Sequence, residues 1–173
     1  MVEVEKRDYE FDQEKFRRFC ERHGFVFPQE YVDYLKEYND GELEDNILDF
    51  VENACSVRYF YGTSDEGCLD ICYNYEEIFK DRMPKNCVPI ADEPCGNQIC
   101  MSLSEDTYGK IYFWDHETMD TDDDEICTLG FEDMYFLADS FGELLDKIEK
   151  STFEIEFEEE TNFFKRIMRK IFG

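Results

Sequence analysis

The first forty residues contain two stretches in which hydrophobic positions recur with helical spacing. In the first stretch, aromatic and apolar side chains three and four positions apart define one face of a predicted helix: Phe16, Phe19, Cys20 and His23. Asp12 can cap its beginning, and Gly24 suits the left-handed position that ends a helix. His23 then lies in the last turn, where the helix dipole favours it, and this position explains it better than catalysis does.

The second stretch predicts a helix that begins at Pro28, because proline suits the first helical position, and Glu30 lies in its first turn. The apolar stripe of this helix consists of Tyr31, Val32, Leu35 and Tyr38. Residues 39–41, which read Asn-Asp-Gly, have the composition of a turn and predict the end of the helix.

From residue 46 onward the hydrophobic period changes to two, and this change predicts strands. The candidate strands are residues 46–51, 56–62, 87–91, 97–103, 110–115 and 133–138. Turn-forming residues at 105–109 join two of these strands and indicate a hairpin.

Two more helices are predicted among and after these strands. One is predicted at residues 69–83 and ends before Pro84. Its predicted inward-facing stripe consists of Leu69, Cys72, Tyr73, Ile78 and Phe79. Residues 140–150 form the other, which is capped by Ser140 and points inward with Phe141, Leu144, Leu145 and Ile148. The order of elements predicts an α+β fold, with a central, mostly antiparallel sheet and helices packed around it.

The last residues differ in composition from the rest, so we predict a domain at 1–150 and an extension at 151–173. The extension is acidic at 154–160 and then becomes basic and apolar from residue 161. The basic part has the spacing of an amphipathic helix, which either docks on the acidic body or binds a partner or an interface.

The composition narrows the class of partner. The chain has 173 residues, 17% of them aromatic, which is enough for a hydrophobic core despite a net charge of −26. So acidic a protein repels phosphate and anionic lipid, which argues against nucleic acid or a membrane as the ligand of the main domain. A basic protein is the natural complement. The oligomeric state is left open.

Eight cysteines raise the question of disulfides or metal. The chain starts without the apolar core of a signal peptide and has no segment of membrane-spanning length, so we expect a cytoplasmic protein with reduced thiols. The spacings Cys68–Cys72 and Cys95–Cys100 differ from the usual two-residue gap of zinc sites. We therefore expect the cysteines to be small buried hydrophobes, with a zinc site as the less favoured alternative, and we predict no metal and no cofactor.

Motifs for catalysis are few. A nucleophilic pair of His116 with Cys95 or Cys100 is conceivable from the residue types alone. Residues 120–131 start like a calcium-binding loop, but Glu125 occupies the position that requires glycine, and Phe131 occupies the position of the closing glutamate. A solvated acidic loop explains this segment better.

The charge pattern carries the strongest functional signal. No lysine or arginine occurs from Ile111 through Asp146, a span with twelve acidic residues, and a second acidic run lies at 39–53. Such clustering destabilises the compact state and suits the capture of a cation-rich partner, although it also suits simple solubility. The candidate contact residues are Asp40, Glu42, Glu44, Asp45, Asp115, Glu117, Asp120, Asp122, Asp123 and Asp124.

Several segments also resemble a known family. Residues 27–42, 59–67, 73–117 and 136–148 occur in the order found in the SUKH superfamily, which includes the Smi/Knr-type domain. The specific parts are the Pro-x-x-Tyr start of the second helix, the Gly-Asn-x-Ile-Cys strand from Gly96, and the stretch YGKIYFWDHE at 108–117. The recurring family motif is Gly96, Asn97, Trp114, Asp115 and His116.

The resemblance implies an α+β domain that acts by binding other proteins. Many bacterial members look like immunity proteins that silence a cognate toxin of a polymorphic or contact-dependent system, often a nuclease. Fungal relatives regulate signalling and cell-wall synthesis. We therefore predict a non-catalytic immunity protein, with a regulatory adaptor as the alternative. The motif is interpreted as structural rather than as the contact surface, and the acidic residues that follow it are the better contact candidates.

Overall fold

A computed structural model describes the chain at residues 3–7, 9–43, 46–50, 53–57, 59–64, 67–79, 82–116 and 134–148. The helices are α1 (Gln13–His23), α2 (Gln29–Tyr38), the single turn α3 (Ile71–Tyr73) and α4 (141–148). The strands are β1 (Val4–Glu5), β2 (Glu42–Leu43), β3 (Ile47–Phe50), β4 (Asn53–Ser56), β5 (Cys87–Asp92), β6 (Gln98–Ser102), β7 (Ile111–Trp114) and β8 (Tyr135–Ala138). The predicted α+β class is confirmed.

The two N-terminal helices form where local signals predict them. The Asp12 carboxylate accepts hydrogen bonds from the backbone N–H groups of Glu14 and Lys15 at 3.0 and 2.9 Å. Gly24 ends α1 with φ +71°. Helix α2 begins one residue later than predicted, at Gln29, and Asn39 follows it with φ +53°. A side-chain cap at Asp12 and a left-handed residue at Gly24 thus define the two ends of α1.

The central sheet is antiparallel throughout, in the order β5-β6-β7-β8. The predicted hairpin is the connection of β6 to β7, which turns through a short helical segment at Glu105–Thr107. At the β5 edge of the sheet, Phe60 forms a single bridge with Ala91, and the Tyr61 N–H donates to the Ile90 carbonyl at 2.7 Å. Strands β1–β2 and β3–β4 form two small antiparallel pairs.

The two faces of the sheet pack into different clusters. Along β7, Ile111 and Phe113 belong to the main core, which also contains the buried faces of α1, α2 and α4. Tyr112 and Trp114 point to the opposite face and belong to a smaller cluster. This alternation follows from the two-residue period of a strand and explains why β7 is apolar at every position.

The predicted helix at 69–83 is wrong in its length and period. Among the described residues of this range, only Ile71–Tyr73 is α-helical, and Asn74–Ile78 continues as a π-type turn. The buried Asn74 side chain donates to the carbonyls of Asp70 at 2.9 Å and Cys68 at 3.2 Å, and this packing accompanies the wider turn. As a result Tyr73 and Ile78, predicted to point inward, are 45% and 43% exposed.

A second difference concerns the predicted strand at 56–62. The strand that pairs with β3 is Asn53–Ser56, and Tyr59, Phe60 and Gly62 form isolated bridges with other segments. A run of alternating apolar residues therefore serves here as an irregular connection that crosses the core, since Phe60 and Tyr61 are buried.

Helix α4 agrees with its prediction. The Ser140 hydroxyl accepts from the Glu143 N–H at 3.1 Å, while the Glu143 carboxylate accepts from the Asp139 N–H at 2.9 Å. Phe141, Leu144 and Ile148 are buried. The predicted extension at 151–173 lies outside the described residues.

Candidate functional site

The five motif residues meet at one end of strands β6 and β7. Gly96 and Asn97 directly precede β6, whereas Trp114 is the last residue of β7 and Asp115 and His116 follow it. Antiparallel pairing of Gln98 with Trp114 brings these two segments together. We call this region the motif end; it comprises residues 92–98 and 114–116.

The Asn97 side chain links the two halves of the motif end. Its amide oxygen accepts from the His116 backbone N–H at 3.2 Å and lies 2.8 Å from His116 Nδ1. Its amide nitrogen donates to the Glu93 carboxylate at 3.0 Å. Because a backbone N–H can only donate, the shared atom is the amide oxygen, so the imidazole also donates to it through Nδ1. The proton on Nδ1 leaves Nε2 as the acceptor of a neutral ring.

Glu93 also stabilises the turn before Asn97, through its carboxylate and its backbone N–H. The Glu93 carboxylate accepts from the Cys95 N–H at 2.9 Å, and the Glu93 N–H donates to the Asn97 carbonyl at 3.0 Å. Gly96 has φ +95°, and a Cβ there would lie 3.3 Å from the His116 ring. Glycine is thus favoured twice at this position, by the backbone conformation and by the histidine packed against it.

Trp114 is a core residue of the smaller cluster. It is 1% exposed and packs edge-to-face against Phe79, with ring centroids 5.7 Å apart. The Arg82 guanidinium carbon lies 5.4 Å from the centre of its ring. Trp114 thus contributes to packing at the motif end, and the architectural role of the motif as a whole stays a prediction.

A nucleophilic pair with Cys100 does not fit the structure. Cys100 is fully buried, and its Sγ lies 3.9 Å from the Met83 sulfur. Burial, and then the neighbouring Cys87 thiol, raise the pKa of the Cys100 thiol well above its ordinary value, which disfavours the reactive thiolate. Cys95 is exposed on the turn, and its pairing with His116 stays a hypothesis from residue type.

The motif end carries carboxylates, and an exposed aromatic ring lies on the neighbouring strand β8. Asp115 is half-buried, as is Asp92, whose carboxylate accepts from the Tyr59 hydroxyl at 3.2 Å. Tyr135 on β8 pairs with Phe113 and is 40% exposed. The chain continues from His116 into the acidic run, so Glu117, Asp120, Asp122, Asp123 and Asp124 follow it directly in sequence but lie outside the described residues.

The other predicted contact region contains a residue that the structure excludes from a surface. Asp40 is fully buried, its carboxylate accepts from the Asn39 side chain at 3.2 Å, and Arg7 Nε approaches it to 4.0 Å. The acidic run suggested a solvated turn, but the N-terminal segment covers it. Glu42 is half-buried in β2, where it pairs with Glu5, and Glu44 and Asp45 lie outside the described residues.

Asp40 belongs to a buried polar network that the sequence analysis missed. The Asn39 amide oxygen accepts from the Thr63 N–H at 2.8 Å, and the Thr63 hydroxyl accepts from the Asp12 N–H at 2.7 Å. Gly62 passes so close that a Cβ would lie 2.3 Å from the Asn39 amide oxygen. The polar run at residues 63–64 was the available signal, but nothing local relates it to residue 39.

An ion pair between a half-buried lysine and a buried aspartate extends this polar region. Lys15 Nζ lies 2.6 Å from the Asp70 carboxylate and donates to the Ser64 carbonyl at 2.9 Å. The second Asp70 oxygen accepts from the Tyr73 N–H at 2.8 Å. Asp70 is only 3% exposed, so the lysine and the helix cap together compensate its charge. This region therefore serves stability.

The cysteines divide into two groups. Cys55, Cys72, Cys87 and Cys100 are buried and Cys20 is half-buried, whereas Cys68 and Cys95 are exposed, in contrast to the prediction. Burial raises the pKa of the Cys55 and Cys72 thiols to about 12. Among the described residues, no group of three or more His, Cys, Asp or Glu side chains is arranged to hold a metal ion. Cys127 lies outside them.

No helix in the described part of the chain combines the length and apolar character that a membrane crossing requires.

The antiparallel sheet, the surrounding helices and the motif end define a domain of the SUKH class. The profile of the SMI1 / KNR4 family (SUKH-1) matches residues 10–147, and the chain belongs to this family. The predicted resemblance is confirmed. The SUKH family generally comprises non-catalytic immunity and regulatory domains and is associated with the binding of toxins.

The chain is also similar to a prophage protein. It is 29% identical over 154 residues to the SPbeta prophage-derived uncharacterized protein YokK of Bacillus subtilis (strain 168), over 79% of this chain and 74% of that protein. Family and relative together support an immunity-type SUKH protein.

Proposed function

We propose that the chain is a cytoplasmic immunity protein that binds a cognate toxin of a polymorphic or contact-dependent system and neutralises it by occlusion. The toxin is a basic, nuclease-type protein, and the immunity protein acts on it without catalysis. SUKH family membership, the prophage relative and the net charge of −26 support this proposal.

One observation carries the choice of surface. Hydrogen bonds between Asn97 and His116 fix the motif end. Directly after His116 the sequence continues into a run of acidic residues that contains no lysine or arginine. A nuclease exposes cations for phosphate, and carboxylates at this position can pair with them in place of phosphate. The exposed ring of Tyr135 supplies an aromatic anchor beside the charges.

The test uses the toxin domain encoded beside this chain and measures its Kd by calorimetry. Charge reversal by Asp122→Lys, Asp123→Lys and Asp124→Lys, and separately Asp115→Lys, should weaken binding by about tenfold or more, chiefly at low salt. The control is Glu105→Lys with Asp106→Lys, whose change in net charge lies between those of the two test variants, because these exposed residues lie in the turn at the opposite end of the β6–β7 hairpin.

The two sets of variants distinguish the outcomes. Loss of affinity in the motif-end variants, with the turn variants unchanged, supports the proposed surface. Equal affinity in all variants, at low and at high salt, overturns it. Failure of every neighbouring toxin domain to bind or to be inhibited overturns the immunity role itself.

The alternative is a non-catalytic regulatory or adaptor protein of the Smi/Knr type. The basic, apolar composition of residues 161–173 favours it, since such a segment suits attachment to a larger assembly. Substitution of Lys165, Arg166, Arg169 and Lys170 by uncharged glutamine in the full chain removes four positive charges and tests this alternative. Loss of localisation or of partner binding while the domain stays folded supports the adaptor role, whereas unchanged localisation and partner binding count against it.

A further inference from the structure

A surface cleft of about 480 Å³ lies between the N-terminal segment 6–13 and the C-terminal half of α2. None of its lining residues belongs to the motif end. Three of them are cationic, Lys6, Arg7 and Lys36, against two carboxylates, Glu10 and Glu37. Since acidic residues outnumber basic ones by 44 to 18 in the chain as a whole, this cleft is a local exception to the acidic surface.

The cations of the cleft keep accessible surface although they have local partners. Lys6 pairs with Glu37 and stays 54% exposed, and Lys36 pairs with Asp33 at 3.0 Å and stays 42% exposed. Exposed ion pairs of this kind are weak, so each ammonium group can bind a further carboxylate at little cost. The cleft is therefore able to receive an anionic segment.

Aromatic rings line the same cleft. Tyr9 is 42% exposed, Phe11 and Tyr38 are half-buried, and Lys6 Nζ lies 5.2 Å from the centre of the Tyr38 ring. Next to the cleft, β1 pairs with β2 and, among the described strands, with no other. An extended segment with aromatic and acidic side chains would satisfy the rings, the cations and the strand edge together.

This chain contains such a segment directly after its domain. Residues 153, 155 and 157 are Phe, Ile and Phe, and residues 154, 156 and 158 are Glu. In an extended conformation this alternation places three apolar side chains on one side and three carboxylates on the other. We propose that residues 152–158 occupy the cleft, with the apolar side on the rings and the glutamates near Lys6, Arg7 and Lys36.

The connection is long enough for this. The Phe141 ring of α4 is 5.0 Å from the Tyr34 ring, which is 5.2 Å from the Tyr38 ring at the cleft. Helix α4 advances roughly 12 Å, so residue 148 lies within about 25 Å of the Tyr38 ring. Residues 149–157 span roughly 30 Å when extended, so the chain can reach this ring within the proposed segment, at or before Phe157. A tethered segment also has an effective concentration in the millimolar range, an advantage over a separate acidic peptide.

Hydrogen exchange measured by mass spectrometry on the full chain tests the proposal. Amides of residues 153–158 should exchange about tenfold or more slowly than an unprotected chain. Glu154→Lys, Glu156→Lys and Glu158→Lys together should remove this protection, and so should Lys36→Glu. Lys36→Glu combined with Glu156→Lys should restore part of it, because the charge pair is re-formed with opposite signs.

Lys85→Glu is the matched control, since Lys85 is also exposed, lies outside the cleft and changes the net charge equally. Unchanged exchange across β5–β7 shows that each variant is folded. Absence of protection in the parent protein, or equal loss in Lys36→Glu and Lys85→Glu, overturns the proposal. Protection that depends on protein concentration, with a dimer in sedimentation, assigns the segment to a second copy and overturns the intramolecular form.

Discussion

Two asparagines hold two distant parts of this fold by the same chemistry in different surroundings. The Asn39 amide oxygen accepts from the backbone N–H of Thr63, and the Asn97 amide oxygen accepts from the backbone N–H of His116. Asn39 is 3% exposed and lies within the polar network between α2 and residues 62–64. Asn97 is half-buried at the motif end.

Because Asn39 is buried and Asn97 is only half-buried, we assign the first a role in stability and the second a role in positioning. Removal of the Asn39 side chain leaves hydrogen-bond donors inside the core, where water cannot replace the lost oxygen. Each unsatisfied donor then lowers the stability of the fold by its full desolvation free energy. Removal of Asn97 frees donors that water can reach, so the cost to folding is smaller. We therefore expect the Asn39 network to decide whether the domain folds, and the Asn97 clamp to decide how the motif end presents its carboxylates.

The largest effect is expected for Gly62→Ala. The new methyl group would lie 2.3 Å from the Asn39 amide oxygen and 2.8 Å from the Asp40 nitrogen, and the backbone cannot move aside without breaking the network. We expect the free energy of unfolding to fall by about 4 kcal/mol, measured by urea denaturation.

Gly142→Ala is the control for that substitution. A Cβ there lies 3.2 Å from the carboxylate at the end of the exposed Glu30 side chain and 3.9 Å from the Ser140 hydroxyl, and it meets no backbone atom outside its own helix this closely. Its unfolding free energy should change by less than about 1 kcal/mol. Comparable losses in both variants would contradict the assignment of the Gly62 effect to close approach.

The next effect is expected for Asn39→Ala. This change removes the acceptor of Thr63 N–H and also places alanine at φ +53°, a conformation that alanine disfavours. The two effects together should lower the free energy of unfolding by about 3 kcal/mol. Asn39→Gly separates them, because glycine keeps the conformation and loses only the side chain, and so should recover about 1 kcal/mol by the same measurement.

A smaller loss of stability, with a larger loss of binding, is expected for Asn97→Ala. The unfolding free energy should fall by only about 1 kcal/mol, since the freed groups are accessible to water. Under the proposed function, toxin affinity should nonetheless fall by about tenfold, because residues 115–116 lose their anchor. A stability loss equal to that of Asn39→Ala, with affinity intact, would reverse the roles given to the two asparagines.

The smallest effect on stability is expected for a substitution on the exposed surface of α1, at Glu14. Hydrogen bonds from Arg17, and then from Arg18, lower the pKa of the exposed Glu14 carboxyl to about 2. A lowered folded-state pKa gives stability that is present above the ordinary value near 4.5 and is lost as the pH falls through about 2.

Glu14→Gln measures this contribution. Its melting temperature should be slightly below that of the parent at pH 7, and the two should converge as the pH approaches 2. A difference that is constant across this pH range would mean that the ion pairs with Arg17 and Arg18 do not contribute.

Local signals explain which parts of the fold the sequence predicted well. Asp12 and Gly24 act within one turn of α1, and Ser140 acts within one turn of α4, so both helices could be located from neighbouring residues. The strands at 87–91 and 97–103 were likewise defined by their own apolar runs. The family resemblance added the motif, which periodicity alone could not have selected.

Features that depend on distant residues were missed. The helix predicted at 69–83 failed because the Asn74 side chain turns back onto Cys68 and Asp70, which a period count does not register. Asp40 looked exposed because it lies in an acidic turn, and its burial depends on a segment more than thirty residues earlier. That Asn97 and His116 meet depends on the register of β6 and β7, which spacing leaves open.

The chain contains a single tryptophan, and the structure buries it within the motif end, in contact with Phe79 and Arg82. Its intrinsic fluorescence therefore comes from one known place in the molecule. A shift of the emission on mixing with a toxin would report a rearrangement at that place without any attached label. Toxin capture at the β6–β7 turn, at the opposite end of the hairpin, should leave the spectrum almost unchanged.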